Sequence, residues 1–438
     1  MKYKNYGNLK KRLMINKLKP KSEFNRNILT LMSGTTIAQA IPIAISPILT
    51  RIYTPNDFGV LALFLAITSI FASIANGRYE LAIMLPKKDE DAINIFALGF
   101  IINCFISLLL LILVVIFNNY FTKLLGNNEI SFWLYFVPIT VFIVGLFNIL
   151  NYFNTRKKNY KDIKNATILK SIVLAIAQLS LGFIKSGVSG LILGNIISNG
   201  FANIKLAKNI LKNKRLILKI KLVKIIILAK KYKDFPKYNL ISDLSNTLTL
   251  QIPFFVIPKV FNITVSGYFF FAQKMISIPS LLIANSISQV FFEKISENNK
   301  NNIKNMPIFL NILKKLLMLS LPMSIFIYLF SPTIFEIIFG KEWRISGEIS
   351  QYLAIIFFFT FIVSTLSITL VSYNKLKFLA IWQYLYLFSS IVFFFLVYYL
   401  ELEFNIFLEY YVLHQVVLYL IYFFIIFLVV YKMDESIS

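Results

Sequence analysis

The residues that build covalent and metal frameworks are almost missing from this chain. Its 438 residues include one cysteine and one histidine. With Cys104 alone, no disulfide forms within the chain and no cysteine metal cluster can be assembled. His414 has no partner at metal-ligand spacing. No P-loop, H-E-x-x-H motif, paired-carboxylate motif or nucleophile–histidine arrangement occurs. These absences argue against an enzyme, a bound metal and a cofactor. Acid is scarce too: 20 Asp and Glu face 45 Lys and Arg, and charged residues make up only 15% of the chain.

What fills the chain instead is apolar. Hydrophobic residues reach 58% and mean hydropathy is +0.71, where a soluble domain has roughly 45–50% apolar and about 25% charged residues. Apolar runs of about 20 residues recur, each long enough to cross roughly 30 Å of hydrocarbon as a helix. They are continuous, whereas the strands of a membrane barrel alternate. The expected fold is therefore an all-α polytopic membrane protein of about twelve transmembrane helices. The spans are placed near 28–50, 58–76, 92–117, 131–153, 165–184, 188–204, 239–259, 264–291, 308–330, 350–371, 379–399 and 406–430.

The net charge of +25 then reads as loop asymmetry rather than nucleic-acid binding, because cytoplasmic loops collect Lys and Arg. With both termini in the cytoplasm, Arg51, Lys123, Lys185, Lys259, Lys341 and Arg344 fall on the far side and Lys170 and Lys274 inside spans. The other basic residues are cytoplasmic, and only the tract from Lys87 to Asp91 weakens the pattern. Ala38-Gln39-Ala40 faintly resembles a cleavage site, but the preceding segment is too polar for a signal peptide, so the first span is expected to stay.

Residues 205–238 form a basic linker whose apolar residues interleave with lysine, as in a helix lying on a membrane surface. It separates two lobes, 28–204 and 239–430, flanked by a basic tail 1–27 and a tail 431–438. The lobes look like repeats. Gln39, Pro42 and Pro47 in span one correspond to Gln251, Pro253 and Pro258 in span seven. Gly59 and Gly267 then open the following spans. Two pseudo-symmetric six-helix bundles of this kind place a binding site between them. The prolines mark expected helix breaks, with span one kinked or weakened near Pro47.

Charges inside spans are costly and draw attention as functional candidates. Lys274 sits inside span eight beside Gln273; the structural alternative is a lysine that snorkels or pairs. Arg78 and Glu80 close span two and pair equally well with each other. Arg51 and Asp57 occupy the polar corner between spans one and two, where a simple salt bridge is an equal alternative. Lys170 and Asp243 read as structural residues near span ends, with Glu409 and Gln415 weaker still. The aromatic residues, 16% of the chain, are assigned no site, since lipid-facing and interfacial rings are commoner.

The segment LMSGTTIAQAIPIAISPILTRIYTPNDFGVLALF, followed by NGRYELAIMLPKKDEDA, resembles the N-terminal region of Wzx-type polysaccharide flippases. These belong to the multidrug/oligosaccharidyl-lipid/polysaccharide exporter superfamily. The likeness continues in DFPKYNLISDLSN, GYFFFAQKMISIPSLLIANSISQVFFEK and IFEIIFGKEWRISGE, to about Gly347. It implies two six-helix bundles around a cation-lined cavity in a bacterial inner membrane. It also implies a cargo of undecaprenyl-pyrophosphate-linked oligosaccharide, moved outward for O-antigen or capsule synthesis. Arg51 and Arg78 match the family pattern; the position of Lys274 usually carries arginine, and lysine keeps the charge without the bidentate fork.

The positions of Arg51, Arg78 and Lys274 at polar breaks in the spans that begin each half lead us to expect that they line one water-filled space between the lobes, and the acid close to each arginine leads us to expect Asp57 or Glu80 to tune it or couple it to H+ or Na+. A glycan polymerase is a partner to consider. The alternatives are a multidrug or cation antiporter of the same superfamily and a membrane glycan polymerase. The first would need carboxylates deep in the N-terminal lobe, and the second a larger outer loop or acidic motifs.

Overall fold

The computed structural model describes residues 23–184 and 187–436. The basic tail expected over 1–27 lies outside the described residues as far as residue 22, as do Lys185 and residues 437–438. Among the described residues, twelve long helices account for most of the chain and no strand occurs. They are α1 Glu23–Ile52, α2 Pro55–Ile74, α3 Asp89–Leu125, α4 Val137–Arg156, α5 Tyr160–Phe183 and α6 Val188–Leu211. The second set is α7 Phe235–Val260, α8 Ile263–Lys300, α9 Met306–Phe339, α10 Lys341–Ser372, α11 Leu376–Leu400 and α12 Phe404–Glu435.

Eleven of the twelve are long and apolar enough to cross a membrane; α6 is the exception. Its sequence explains why. Asn195, Asn199 and Asn203 recur every fourth residue on one face, and that face is turned into the bundle. Asn203 Nδ2 donates to the carbonyl of Ile143 in α4 at 2.8 Å. Two further asparagines reach the same turn of α4. Asn76, just beyond α2, donates to Gly145 O at 2.8 Å, and Asn103 of α3 donates to Phe142 O at 2.9 Å. All three asparagines are buried.

Pairwise packing shows the repeat directly. In the first lobe α1 packs on α5, α2 on α4, α3 on α4, α4 on α6, and α5 on α6. In the second lobe the same five pairings recur six helices later: α7 with α11, α8 with α10, α9 with α10, α10 with α12, and α11 with α12. The two pseudo-symmetric six-helix bundles expected from the proline spacing are thus the architecture. The lobes meet chiefly where α2 lies against α8 and α7.

The turns at 52–55 and 260–263 define what we call the corner end of the bundle; the start of α1, the end of α12 and the lysine-rich connections lie at the opposite, basic end. Both corners are capped by a polar side chain. At α2, Asp57 N–H donates to Thr54 Oγ1 at 3.3 Å and Thr54 N–H donates to Asp57 Oδ2 at 2.9 Å, with Pro55 at the helix start. At α8, Val265 N–H donates to Asn262 Oδ1 at 2.8 Å. Such caps stabilise a helix by about 0.5–2 kcal/mol.

The prolines behave differently in the two halves. Helix α1 continues through Pro42 and Pro47. The Ser46 hydroxyl donates to Pro42 O and that of Thr50 to Pro47 O; the carbonyls that the prolines leave without a backbone donor lie four residues earlier, at Ala38 and Ile43. In α7 the regular ladder is interrupted at Ile252, just before Pro253, although Ile252 keeps α-helical dihedrals.

The linker is docked against the N-terminal lobe. Short helices cover Lys214–Ile217 and Leu222–Lys231. Asn94 of α3 donates to Lys219 O and accepts from Lys221 N–H, while Lys219 and Lys224 pair with Glu90. Ile225 and Leu228 are buried, while Leu222, Val223, Ile226 and Ile227 are exposed.

Candidate functional site

The seam between α2 and α8 begins at the corner end with backbone in near contact. A Cβ on Gly59 would lie 2.0 Å from Ile263 O, and one on Gly267 would lie 1.8 Å from Pro55 O. Only glycine fits either position. Around this crossing the lobes are sealed by rings. Phe58 of α2 meets Phe271 of α8 at 5.5 Å and Trp343 of α10 at 5.1 Å, and Phe271 meets Phe339 at 4.9 Å in edge-on geometry. Trp343 is fully buried and its Nε1–H donates across the lobes to Thr50 O at 3.0 Å.

Arg51 belongs to this seal. It is exposed, and its guanidinium donates to Pro47 O in its own helix and to Ile338 O of α9 at 3.1 Å. Asp57 serves the cap described above, so the corner is not closed by an Arg51–Asp57 pair. The two charges do different work within six residues of each other.

Lys274 follows Gly267 by seven residues, which in a helix is about 10 Å along the axis and almost the same face. Its Cα therefore lies on the side of α8 that meets α2, below the ring seal. It is half-buried, with its ammonium 6.0 Å from the centre of the Phe270 ring. Among the described residues no carboxylate pairs with it.

Arg78 lies at the other end of α2. It follows Gly77, and both adopt positive φ, +61° for Arg78 and +58° for Gly77. This left-handed turn directs the chain into the short helix Tyr79–Ala82. The Arg78 guanidinium sits 3.4 Å from Glu80 Oε1 and 3.2 Å from Asp243 Oδ2 of α7. Asp243 is in the second lobe, so this pair crosses the seam at the basic end. Glu80 is buried, and desolvation lifts its carboxyl above the usual carboxylate range against the opposing pull of its own backbone and of Arg78. The structure thus brings Arg78 and Glu80 together. Arg51 ties α1 to α9 at the corner end, Lys274 stands on α8, and Arg78 reaches α7 at the basic end.

Two features were not picked out from the sequence as sites. The first is Asp243 as a cross-lobe partner. The second is a cavity of about 560 Å³ inside the C-terminal lobe, walled by α7, α8, α10, α11 and α12. Its lining is uncharged: hydroxyls and amides such as Gln273, Ser277, Thr360 and Gln415 alternate with the rings of Trp382 and Tyr386. Four-residue spacings carry part of the signal. Gln273 and Ser277 recur on α8, Trp382 and Tyr386 on α11, and Tyr411, Gln415 and Tyr419 on α12.

A profile of the family described as polysaccharide biosynthesis protein matches residues 48–348, from just after the α1 prolines to the first turns of α10. The chain belongs to that family. The chain is 21% identical over 315 residues to the succinoglycan biosynthesis transport protein ExoT of Rhizobium meliloti (strain 1021). That alignment covers 70% of this chain and 61% of ExoT, so the chain spans less than two thirds of that relative. Its fold is shared with a MATE family multidrug resistance transporter of the MOP superfamily solved facing inward. The TM-score is 0.70 at 16% identity, over 92% of this chain and 96% of that one. The lipid II flippase MurJ in an inward closed conformation gives 0.59 at 18% identity, over 90% and 98%. The sequence match thus sustains the expected link to polysaccharide biosynthesis, and the expected fold is that of the MATE and MurJ structures.

Proposed function

We propose that this protein is a flippase that moves undecaprenyl-pyrophosphate-linked oligosaccharide from the cytoplasmic to the outer leaflet of a bacterial inner membrane, by alternating access between its lobes. The observation that carries the reading is Lys274, a half-buried ammonium on the seam face of α8 with no acidic partner among the described residues. An unpaired cation at that depth is costly, and an anionic head group passing between the lobes supplies its counter-charge. The basic end, with its lysine-rich connections and both termini, faces the cytoplasm in this reading, and the sealed corner end faces outward. Arg78 then meets the pyrophosphate early and Arg51 receives it late. Two negative charges moved outward down an inside-negative potential release about 4–5 kcal/mol per 100 mV if they cross the whole field.

The antiporter alternative fits the acids less well. Within residues 30–204, every Asp and Glu lies at a helix end or in a connection. Glu80 remains as the group through which H+ or Na+ acts on Arg78. O-antigen or capsule is the glycan, and a polymerase the next protein to receive it.

The test is translocation in proteoliposomes carrying undecaprenyl-pyrophosphate-linked oligosaccharide on one leaflet. Lectin access from the other side reports arrival. Access that rises no faster than in protein-free liposomes rejects the flippase, and chain elongation without relocation would instead mark a polymerase.

A further inference from the structure

The C-terminal lobe holds a polar space that the seam does not explain. Its walls lie within a bundle built for hydrocarbon, yet they are dense in hydrogen-bonding groups that carry no charge: Thr249, Gln273, Ser277, Thr360, Gln383 and Gln415. A volume near 560 Å³ is that of a small-molecule pocket, typically about 300–1,000 Å³. One side is aromatic. Trp382 stacks on Tyr422 with centroids 4.0 Å apart and planes 12° apart, and Tyr386 lies 5.0 Å from Trp382. The Tyr386 hydroxyl donates to Gln415 Oε1 at 2.6 Å, which fixes both groups at the wall.

Backbone irregularities gather at the same place. Helix α8 changes to a π-helical turn over Ser280–Ala284, directly after Pro279, and Ser280 and Ala284 both line the cavity. Helix α10 is interrupted at Ser367, which also lines it with Ser364 and Thr365. Turns of this kind loosen the regular ladder and often accompany binding sites in helices.

We infer that this cavity binds an uncharged sugar of the lipid-linked cargo, by hydrogen bonds to its hydroxyls and by contact between its C–H faces and the tyrosine and tryptophan rings. The chemistry selects this occupant. No charged side chain is present to hold an ion or a phosphate. The hydroxyls of Thr249, Ser277 and Thr360 already donate to carbonyls of their own helices, which leaves them as acceptors for a ligand, and an apolar ligand offers nothing to them or to the Gln273 amide. A polyhydroxylated ring satisfies both kinds of wall. The place also fits. Gln273 faces the cavity, and Lys274, the next residue, is turned about 100° around the helix onto the seam face. A pyrophosphate held at Lys274 therefore leaves its attached sugars beside the cavity mouth.

This inference rests on the flippase reading, and the test separates the two. The full chain in nanodiscs is titrated with bare undecaprenyl pyrophosphate. It is then titrated with the same lipid bearing a neutral disaccharide that begins with glucose, galactose or N-acetylglucosamine. At least one sugar-bearing lipid is expected to bind about tenfold or more tightly than the bare lipid, since a site built to hydrogen-bond hydroxyls discriminates strongly against their absence. Tyr386→Phe and Gln415→Leu, checked for unchanged thermal unfolding, should each bring that ratio toward one, while Lys274→Gln should weaken every lipid alike. Equal binding of bare and sugar-bearing lipids by the wild-type chain overturns the sugar site and leaves the flippase standing. So does a loss in the cavity variants that is the same for both. Binding of neither lipid overturns both readings. The wild-type ratio decides alone if a variant fails to fold.

Discussion

Replacing Gly267 with alanine tests whether the α2–α8 crossing controls which end of the protein is shut. The added Cβ would stand 1.8 Å from Pro55 O, where ordinary contact begins at 3.4 Å, so about 1.6 Å must be found. The obstacle is backbone, as is Gly59 N at 2.9 Å, so no rotamer change relieves it and the helices must separate. Overpacking of this kind costs about 1–3 kcal/mol. The penalty falls on the arrangement closed at the corner end and not on one in which the lobes have parted there. The equilibrium should move toward corner-open by roughly 5- to 150-fold.

Spin labels on exposed positions of the two lobes read this out. Lys123→Cys and Lys341→Cys serve, in a Cys104→Ser background. Gly267→Ala should raise the population at long distance, and Gly59→Ala should do the same because its Cβ meets Ile263 O at 2.0 Å. A distance distribution identical to the parent, with unchanged thermal unfolding, would refute the reasoning. The crossing would then absorb a methyl group by sliding, and the glycines would have no part in closure.

Three further outcomes are expected. Lys274→Ala should lower the initial rate of lipid-linked oligosaccharide translocation about 10- to 100-fold, the loss of a charge-assisted contact of ~1.5–3 kcal/mol, while Lys274→Arg stays within a few-fold of wild type; full activity of the alanine variant removes this residue from the path. The Glu80 carboxyl is lifted by burial, so between its ordinary value and its raised one the folded chain holds a proton that the unfolded chain has released. Stability should therefore fall as pH rises through that window, and Glu80→Gln should flatten the slope of thermal stability against pH; an unchanged slope would place the proton elsewhere. Exchanging Arg51→Asp with Asp57→Arg should not restore transport, because the swap removes both the α2 cap, about 0.5–2 kcal/mol, and the tie from Arg51 to Ile338 O. Recovery to wild-type rates would show that the two charges act only on each other.

The spans and the repeat were legible because hydrocarbon demands long apolar helices and because proline is hard to disguise. Even α6, the least apolar, was placed in sequence. Asn203 satisfies an α4 carbonyl, and Asn195 and Asn199 donate to carbonyls of α6 itself, on the face turned into the bundle. The Lys87–Asp91 tract looked like a flaw in the charge pattern. Asp89 pairs with Arg156 and Lys157, and Glu90 with Lys219 and Lys224; partners 67 to 134 residues away cannot be seen from local composition. The pairing of Gly59 with Gly267 was visible as a repeat, but only contact between lobes reveals that each glycine yields space to the other's helix. The cavity was hidden for a different reason. Trp382, Tyr386 and Tyr419 have the same helical spacing as rings that face lipid, and nothing in a single chain marks which side of α11 or α12 is inward.

The asparagine bonds to α4 have a mechanical result. Helices α2, α3 and α6 each contribute to a grip on one turn, at Gly145, Phe142 and Ile143. Within a membrane, such bonds are worth about 0.6–2 kcal/mol apiece, and water is not at hand to replace one that breaks. Sliding any of these helices past α4 would have to release its bond without a substitute. Three of the six helices in the lobe are therefore bolted to a fourth. Helices fastened in this way turn with α4 as one solid piece.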